Sequence, residues 1–369
     1  MPLLQKSQER RSYYSMTKYF IQLIQIYLGH RDKLSAIPTE NEWKRIFSEA
    51  QRQSLIGILF SAIEQIPLEQ KPSKAIKVQW WAMTQTIEEQ SHLMEKRSHE
   101  TYTFFANQGI NCAILKGQSV ACLYPYPYRR QSGDVDIWLN IPRDQIYHMA
   151  REHDPNGIIH GANYHHIHYQ LFPDCEVEVH IYPSFLSNPF LNHRLHSFFR
   201  LHPPLSGKEY LDNSFNRIFI LMHCFRHLNG HGVGLRQLMD YYYVLRQGYT
   251  EEERKETLLW IKRLRLTRFT KGVMWILREV FKLEEQYILL EPDKKEGLFI
   301  LSEIHHTGNM GHYDHRNWGS LKTPLSRFFF NLRRSFHFIT HYPQESFWQP
   351  LFSIWLNIWR RWKHLGNPI

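Results

Sequence analysis

No run of eighteen apolar residues occurs in this chain, so a membrane-spanning helix is not expected. There are only four cysteines, Cys112, Cys122, Cys175 and Cys224, and none forms a CxxC pair. That excludes a zinc ribbon and a disulfide framework, and three of the four fall in segments expected to be buried; they read as reduced thiols of a cytoplasmic protein. The N-terminus has polar and charged residues through Arg11 and its first apolar patch is interrupted by Lys18, a poor fit to a secretory signal. Acidic residues are in deficit, 35 Asp and Glu against 45 Lys and Arg, and the net charge of +10 biases the surface toward anions such as nucleotides, nucleic acid or anionic lipid. Internal repeats and low-complexity segments are absent. What is present, 369 residues with 43% hydrophobic and 15% aromatic content, suffices for two or three domains with sizeable cores.

Residues 13–30 place Phe20, Leu23, Ile24 and Tyr27 at helical spacing, and Pro38-Thr39 opens a second helix marked by Trp43, Ile46, Phe47, Leu55 and Ile58. Ser73 to Gln108 holds no Gly or Pro, which predicts one long helix or two in series, with Gly109 as its C-terminal cap. The period then changes. Ala113–Leu115 reads as a short strand, Lys116-Gly117-Gln118-Ser119 as a tight turn into a helix, and Gly133–Leu139 as a second strand. Pro142–His153 is helical, with Ile146 and Met149 inward. Tyr164–Leu171 and Glu176–Tyr182 form a hairpin across Phe172-Pro173-Asp174. From Phe215 the helical stripe returns (Ile218, Phe219, Met222, Phe225), breaks at 229–234, and restarts at Leu235. Thr250 caps a further helix, and the chain stays helical to about Leu283. Residues 284–325 are mixed, with Gly308, Gly311 and Gly319 marking a loop.

The chemistry concentrates between Ala113 and Asn140. Alternate strand residues share a face, so Asp134 and Asp136 project together while Val135 and Ile137 face the core. A lone DxD on a solvated strand edge is common. Here strand, glycine turn, helix-length gap, DxD and an acidic hairpin follow in order, and two or three carboxylates suffice to hold Mg2+ or Mn2+ with phosphates completing its shell. Glu176 and Glu178 face the same way, and either can supply the third carboxylate.

LKGQS, LYPYPYRRQSGDVDIWL, VEVH and HCFRHLNGHGVGLRQLMD resemble the uncharacterised bacterial nucleotidyltransferase family of the DNA polymerase beta superfamily, over residues 100–250. The resemblance implies an α+β fold, with a small mixed or antiparallel sheet flanked by N-terminal and C-terminal helical regions. It also implies divalent metal and transfer of a nucleoside monophosphate from a nucleoside triphosphate such as ATP. The acceptor stays open: a small molecule, a sugar, RNA or a protein. Its acidic-x-His element selects Glu178, followed by His180, as partner of Asp134 and Asp136 in catalysis and metal binding. Gln118 separates Gly117 from Ser119, where the superfamily turn is Gly-Ser or Gly-Gly.

For the triphosphate, Gly117 permits close backbone approach, Ser119 adds a hydroxyl, and Lys116 and Arg130 are the expected cations, with Arg129 the rival of Arg130. An ordinary surface charge is the plainer reading of each. His180 orients Glu178, contacts substrate or is merely structural. His165, His166 and His168, with His160 nearby, lack a second ligand pair at zinc spacing and read as strand residues bordering the cleft. His223 and His227, at i and i+4, are expected to pack between two helices or meet substrate, with a hydrogen bond to Asp240 as one option; Arg236 and Asp240 form an i, i+4 pair.

Domains are expected at 1–108 (helical), 109–205 (catalytic core) and 206–369 (helical). The stripe Trp348, Phe352, Trp355, Trp359 and Trp362, flanked by Arg360, Arg361 and Lys363, is most simply a docked helix, with peripheral contact to an anionic membrane as the less favoured alternative. Two other classes compete with the enzyme: a catalytically decayed nucleotide- or RNA-binding module, and a helical scaffold.

Overall fold

The computed structural model describes residues 18–153, 163–314, 316 and 323–362. Residues 13–17 of the first expected helix, His160, Gly319 and Lys363 lie outside the described residues. The N-terminal helices are α1 (Lys18–Tyr27), α2 (Glu40–Arg52), α3 (Ile56–Gln65) and α4 (Lys74–Ala106). Thr39 starts α2 with a reciprocal capping box to Glu42, the sequence signature of a helix N-terminus. The Gly- and Pro-free stretch forms one 33-residue helix, α4, and Gly109 follows its end at φ +78 with its N–H on the Ala106 carbonyl.

Four short strands form the sheet: β1 (Cys112–Leu115), β2 (Val135–Leu139), β3 (His166–His168) and β4 (Val177–His180), in the order β1-β2-β4-β3. β1 and β2 are antiparallel, β2 and β4 parallel, and β4 and β3 antiparallel, so the sheet is mixed and the fold is α+β. Between β1 and β2 lies the single-turn helix α5 (Gly117–Ala121), and α6 (Arg143–His153) follows β2. One sheet face is a dry core: Cys112, Ile114, Val135, Ile137, Leu139, Ile167, Val177 and Val179 pack on Met94 and Phe105 of α4 and Ile146 of α6. Period-two alternation therefore sends Asp136, Trp138, Glu178, His180, His166 and His168 to the other face.

The helices that follow are α7 (Pro189–Leu201), α8 (Asn213–Asn229), α9 (Leu235–Arg246), α10 (Glu251–Arg263), α11 (Thr267–Glu279) and α12 (Lys294–Thr307), and α7 and α8 meet that second face through Phe199 and Phe215 against Trp138. Thr250 caps α10 in a box with Glu253, as expected. Trp138 stacks on Phe215 of α8 with ring centroids 6.0 Å apart. The remainder of α8 then runs out over the strand carboxylates. The N-terminal and C-terminal helices share one core, in which Phe20, Trp43, Trp80, Phe219, Leu238 and Trp275 belong to the same cluster.

At Gly57 of α3, a Cβ would stand 2.5 Å from the carbonyl oxygen of Arg129, so the helix reaches the 127–129 turn only because it has no side chain there. Gly57→Ala should lower stability by about 1–3 kcal/mol, read from the urea midpoint, because the clash is with backbone. An unchanged midpoint would mean that this contact is loose.

The C-terminal helices α13 (Pro324–Phe338), α14 (Pro343–Ser346) and α15 (Trp348–Trp362) close the chain. Glu303 of α12, 3% exposed, accepts from Arg316 Nη1 (2.8 Å) and Nη2 (3.0 Å) and bonds His337 Nε2 of α13 (2.9 Å). Burial alone would raise its pKa. The His337 and Arg316 hydrogen bonds outweigh it and bring it down from 4.5 to about 2. A depressed carboxylate stabilises the fold above its unfolded pKa and loses that contribution as pH falls through the folded value. Glu303→Gln should thus cost roughly 3 kcal/mol at pH 7, with the difference from wild type shrinking between pH 4.5 and 2 in chemical denaturation. A pH-independent difference would remove the ion pairs from the account.

The tryptophan stripe is docked on one side only. Trp359 lies within 5.1 Å of the Arg143 guanidinium and packs on the sheet core, whereas Trp355 is 44% and Trp362 72% exposed. No helix among the described residues is long and apolar enough to cross a membrane. Cys112 and Cys224 are buried, Cys122 is exposed and Cys175 half-buried, so two rather than three thiols are sequestered.

Candidate active site

Asp136 of β2 and Glu178 of β4 are register partners on adjacent parallel strands, and Asp134 immediately precedes β2. The parallel pairing carries a residue 42 positions later in sequence beside the DxD. All three line a cleft of about 460 Å3 between the sheet and helices α8 and α9. Lys116, Gly117 and Arg130 line it from the turns, His166 and Glu176 from the hairpin, and His223, Arg226, His227, Arg236 and Asp240 from the helices.

The electrostatics centre on Asp136, 2% exposed, whose Oδ1 accepts from Lys116 Nζ at 2.6 Å and pairs with His180 Nε2 at 2.7 Å. His180 Nδ1 meets the Tyr182 carbonyl at 3.3 Å. Burial opposes charge on His180, yet its contacts with Asp136 and Glu178 raise its pKa above the usual imidazole value. Lys116 follows the same logic: burial pulls its pKa down, and Asp136, Asp134 and Glu178 pull it up further. Asp134 is raised from 3.8 to about 6, first by the charge of Asp136 and then by burial. Glu178 would be raised by burial, but His166 and His180 against it hold it far below the usual carboxylate range. Burial pushes His166 down to about 4, leaving its imidazole neutral at pH 7.

Lys116 occupies φ +47, ψ −127, an uncommon conformation for a non-glycine residue, which costs on the order of 1–3 kcal/mol. The turn is held there by Ser119, whose Oγ donates to the Lys116 carbonyl at 2.7 Å. Ser119 was expected to meet phosphate; it is 6% exposed and braces the turn. The helix after the turn has only five residues, Gly117–Ala121.

Arg130 and Arg129 separate cleanly. Arg130, 3% exposed, sends Nε and Nη2 to the two oxygens of Asp240, each at 2.7 Å, and Nη1 toward Ser132 at 3.2 Å. Tyr124 donates to the same Asp240 oxygen at 2.6 Å. Arg129 points away, to Glu88 at 2.7 Å, Ser61 at 2.9 Å and Glu64. The planar fork foreseen for phosphate therefore binds a carboxylate, leaving one edge at the cleft. Asp240 is engaged by Arg130 and Tyr124 rather than by His223, His227 or Arg236. Arg236 instead donates to the Gln131 carbonyl.

His223 and His227 stack edge to face at 4.3 Å, and burial drives both pKa values well below the usual range. They present neutral imidazoles to the cleft. Arg226, not singled out in the sequence, follows His223 at i+3 and reaches the same cleft, with its guanidinium 5.0 Å over Phe185. Its Nε and that of Arg236 are buried without hydrogen-bond partners. Helical spacing alone could have found Arg226. Gln237 and the Asn309–Met310 segment, joined by a 2.8 Å hydrogen bond from Gln237 to Asn309, close the far rim and carry no sequence signal of that role.

The clustered carboxylates of the mixed sheet thus face a helical wall that carries Arg226 and Arg236. Residues 39–282 match the family described as uncharacterised nucleotidyltransferase, and the chain belongs to that family. The matched span begins at the capping residue of α2 and ends beyond α11, wider than the stretch carrying the motifs. Comparison with curated proteins and with solved structures gave no match.

Proposed function

We propose that the protein moves a nucleoside monophosphate from a nucleoside triphosphate to an acceptor hydroxyl, releasing pyrophosphate, with Asp134, Asp136 and Glu178 holding Mg2+ or Mn2+. The observation that carries this reading is the convergence of those three side chains in one cleft with unpaired guanidinium nitrogens opposite. The donor set fits a hard divalent cation: the oxygens cluster closely enough to raise Asp134, and Asp136 already accommodates Lys116 and His180 on one oxygen. When bound, the metal lowers the pKa of the acceptor hydroxyl and neutralises charge on the departing pyrophosphate.

This chain's residues supply the remainder. Lys116 Nζ lies where it can pass from Asp136 to a phosphate oxygen, and Arg226 and Arg236 offer donors from the helical wall. His180 keeps Asp136 and Glu178 in place through contacts of 2.7 and 3.4 Å from its Nε2. The Arg130–Asp240 pair fixes the segment leading to Asp134 against α9. Neutral His223 and His227 add hydrogen bonds to substrate without charge. In this reading residues 109–205 are the catalytic core, and helical regions 1–108 and 206–369 build its walls.

Purified protein incubated with Mg2+, each α-labelled nucleoside triphosphate and a cell extract should label one acceptor class in a metal-dependent manner. Nucleotide binding that ignores Mg2+ and survives loss of Asp134, without transfer, would support a decayed binding module instead.

A further inference from the structure

The hairpin brings together more than the third carboxylate. β3 and β4 pair so that His168 faces Glu178 and His166 faces His180, all on the cleft side of the sheet. One ligand atom from each of His166, His168 and Glu178 lies within 4.8 Å of the others. We propose that His166, His168 and Glu178 form a mixed nitrogen–oxygen site for a transition-metal ion, of the Mn2+, Co2+ or Zn2+ class, beside the all-oxygen Asp134–Asp136 ligands. This deepens the reading above and depends on it only through the shared Glu178.

Three further observations bear on the site. His166 Nδ1 is buried and makes no hydrogen bond although Glu178 Oε2 stands 2.9 Å away, an unsatisfied polar atom pointing at a carboxylate. His168 Nδ1 pairs with Glu176, leaving Nε2 without a bond among the described residues; a carboxylate behind an imidazole is the usual arrangement that orients a metal-binding histidine. Side-chain exposure of 41% at His168 and 57% at Glu176 provides an entry path from solvent. Magnesium has little use for imidazole, whereas two imidazoles and a carboxylate suit first-row transition metals. The sequence could show that His166 and His168 share a strand face, but the third ligand comes from a neighbouring strand.

The test is titration of the untagged full-length protein with Co2+, read by visible absorption and by calorimetry. One Co2+ per chain with the absorption of a nitrogen-ligated centre is expected. His168→Gln, at a partly exposed position that the fold tolerates, should weaken binding at least tenfold and shift the bands; His166→Gln should do the same. Asp134→Asn should leave the bands in place. Bands unchanged in both histidine variants, or a spectrum of oxygen-only coordination in the wild type, would overturn the proposal. The readout is independent of catalysis: intact bands without nucleotidyl transfer defeat the reading of the reaction and not this site, and transfer without the bands does the reverse.

Discussion

Asp136→Asn is expected to lower the proposed metal-dependent nucleotidyl transfer roughly a thousandfold, ~4 kcal/mol of barrier, because one charge is lost from the proposed ligand set and its geometry depends on the side chain that Lys116 and His180 both grip. Loss of activity through misfolding must be separated from loss of chemistry, and Asp134 does this. In the metal-free protein its pKa is raised by Asp136 and by burial, so the ionised form is the one the fold disfavours. A raised carboxylate stabilises the fold below its unfolded pKa and loses that contribution as pH rises through about 6. Asp134→Asn should therefore be inactive yet more stable than wild type in EDTA at pH 7.5, by roughly 2–3 kcal/mol, with the gain fading toward pH 4. An inactive Asp134→Asn protein with reduced stability would show that the carboxylates do not repel one another as described.

The second large effect lies at Asp240. Its bond to Arg130 is bidentate and buried, with side-chain exposures of 4% and 7%. Asp240→Ala leaves a buried guanidinium and the Tyr124 hydroxyl without their acceptor and should cost about 3–5 kcal/mol by urea denaturation. The cost belongs to the stranded charge more than to the pair. Arg130→Met combined with Asp240→Leu should hence recover much of it, and a double variant as unstable as Asp240→Ala would contradict that reasoning. Activity should stay low in the double variant, since the segment from Arg130 to Asp134 loses its anchor on α9.

Local periodicity made much of the architecture legible. The Gly- and Pro-free run gave α4, alternation in DVDIWL and VEVH gave the two faces of β2 and β4, and Thr250 with its glutamates gave the start of α10. Glu178 was legible as a partner of the DxD because strand alternation and the acidic-x-His motif agree. Contacts that depend on which distant elements meet were not. Asp240 and Arg130 are 110 residues apart, so nothing at either position says that one will consume the other's charge. Ser119 looked free because its sequence neighbours do not reveal that the Lys116 carbonyl turns back toward it. The aromatic tail shows the same limit: its stripe marks an amphipathic helix, but only packing decides that Trp359 is half-buried against the sheet core while Trp362 is exposed.

The central claim concerns which phosphorus is attacked, and isotopic position tests it most directly. With the acceptor fraction and Mg2+ present, parallel reactions should contain nucleoside triphosphate labelled either at the α or at the γ phosphate. The account predicts that α label passes to the acceptor and γ label leaves in pyrophosphate, both stopping on chelation. Transfer of γ label to the acceptor, or transfer of α label that persists in Asp136→Asn protein with metal removed, would contradict it.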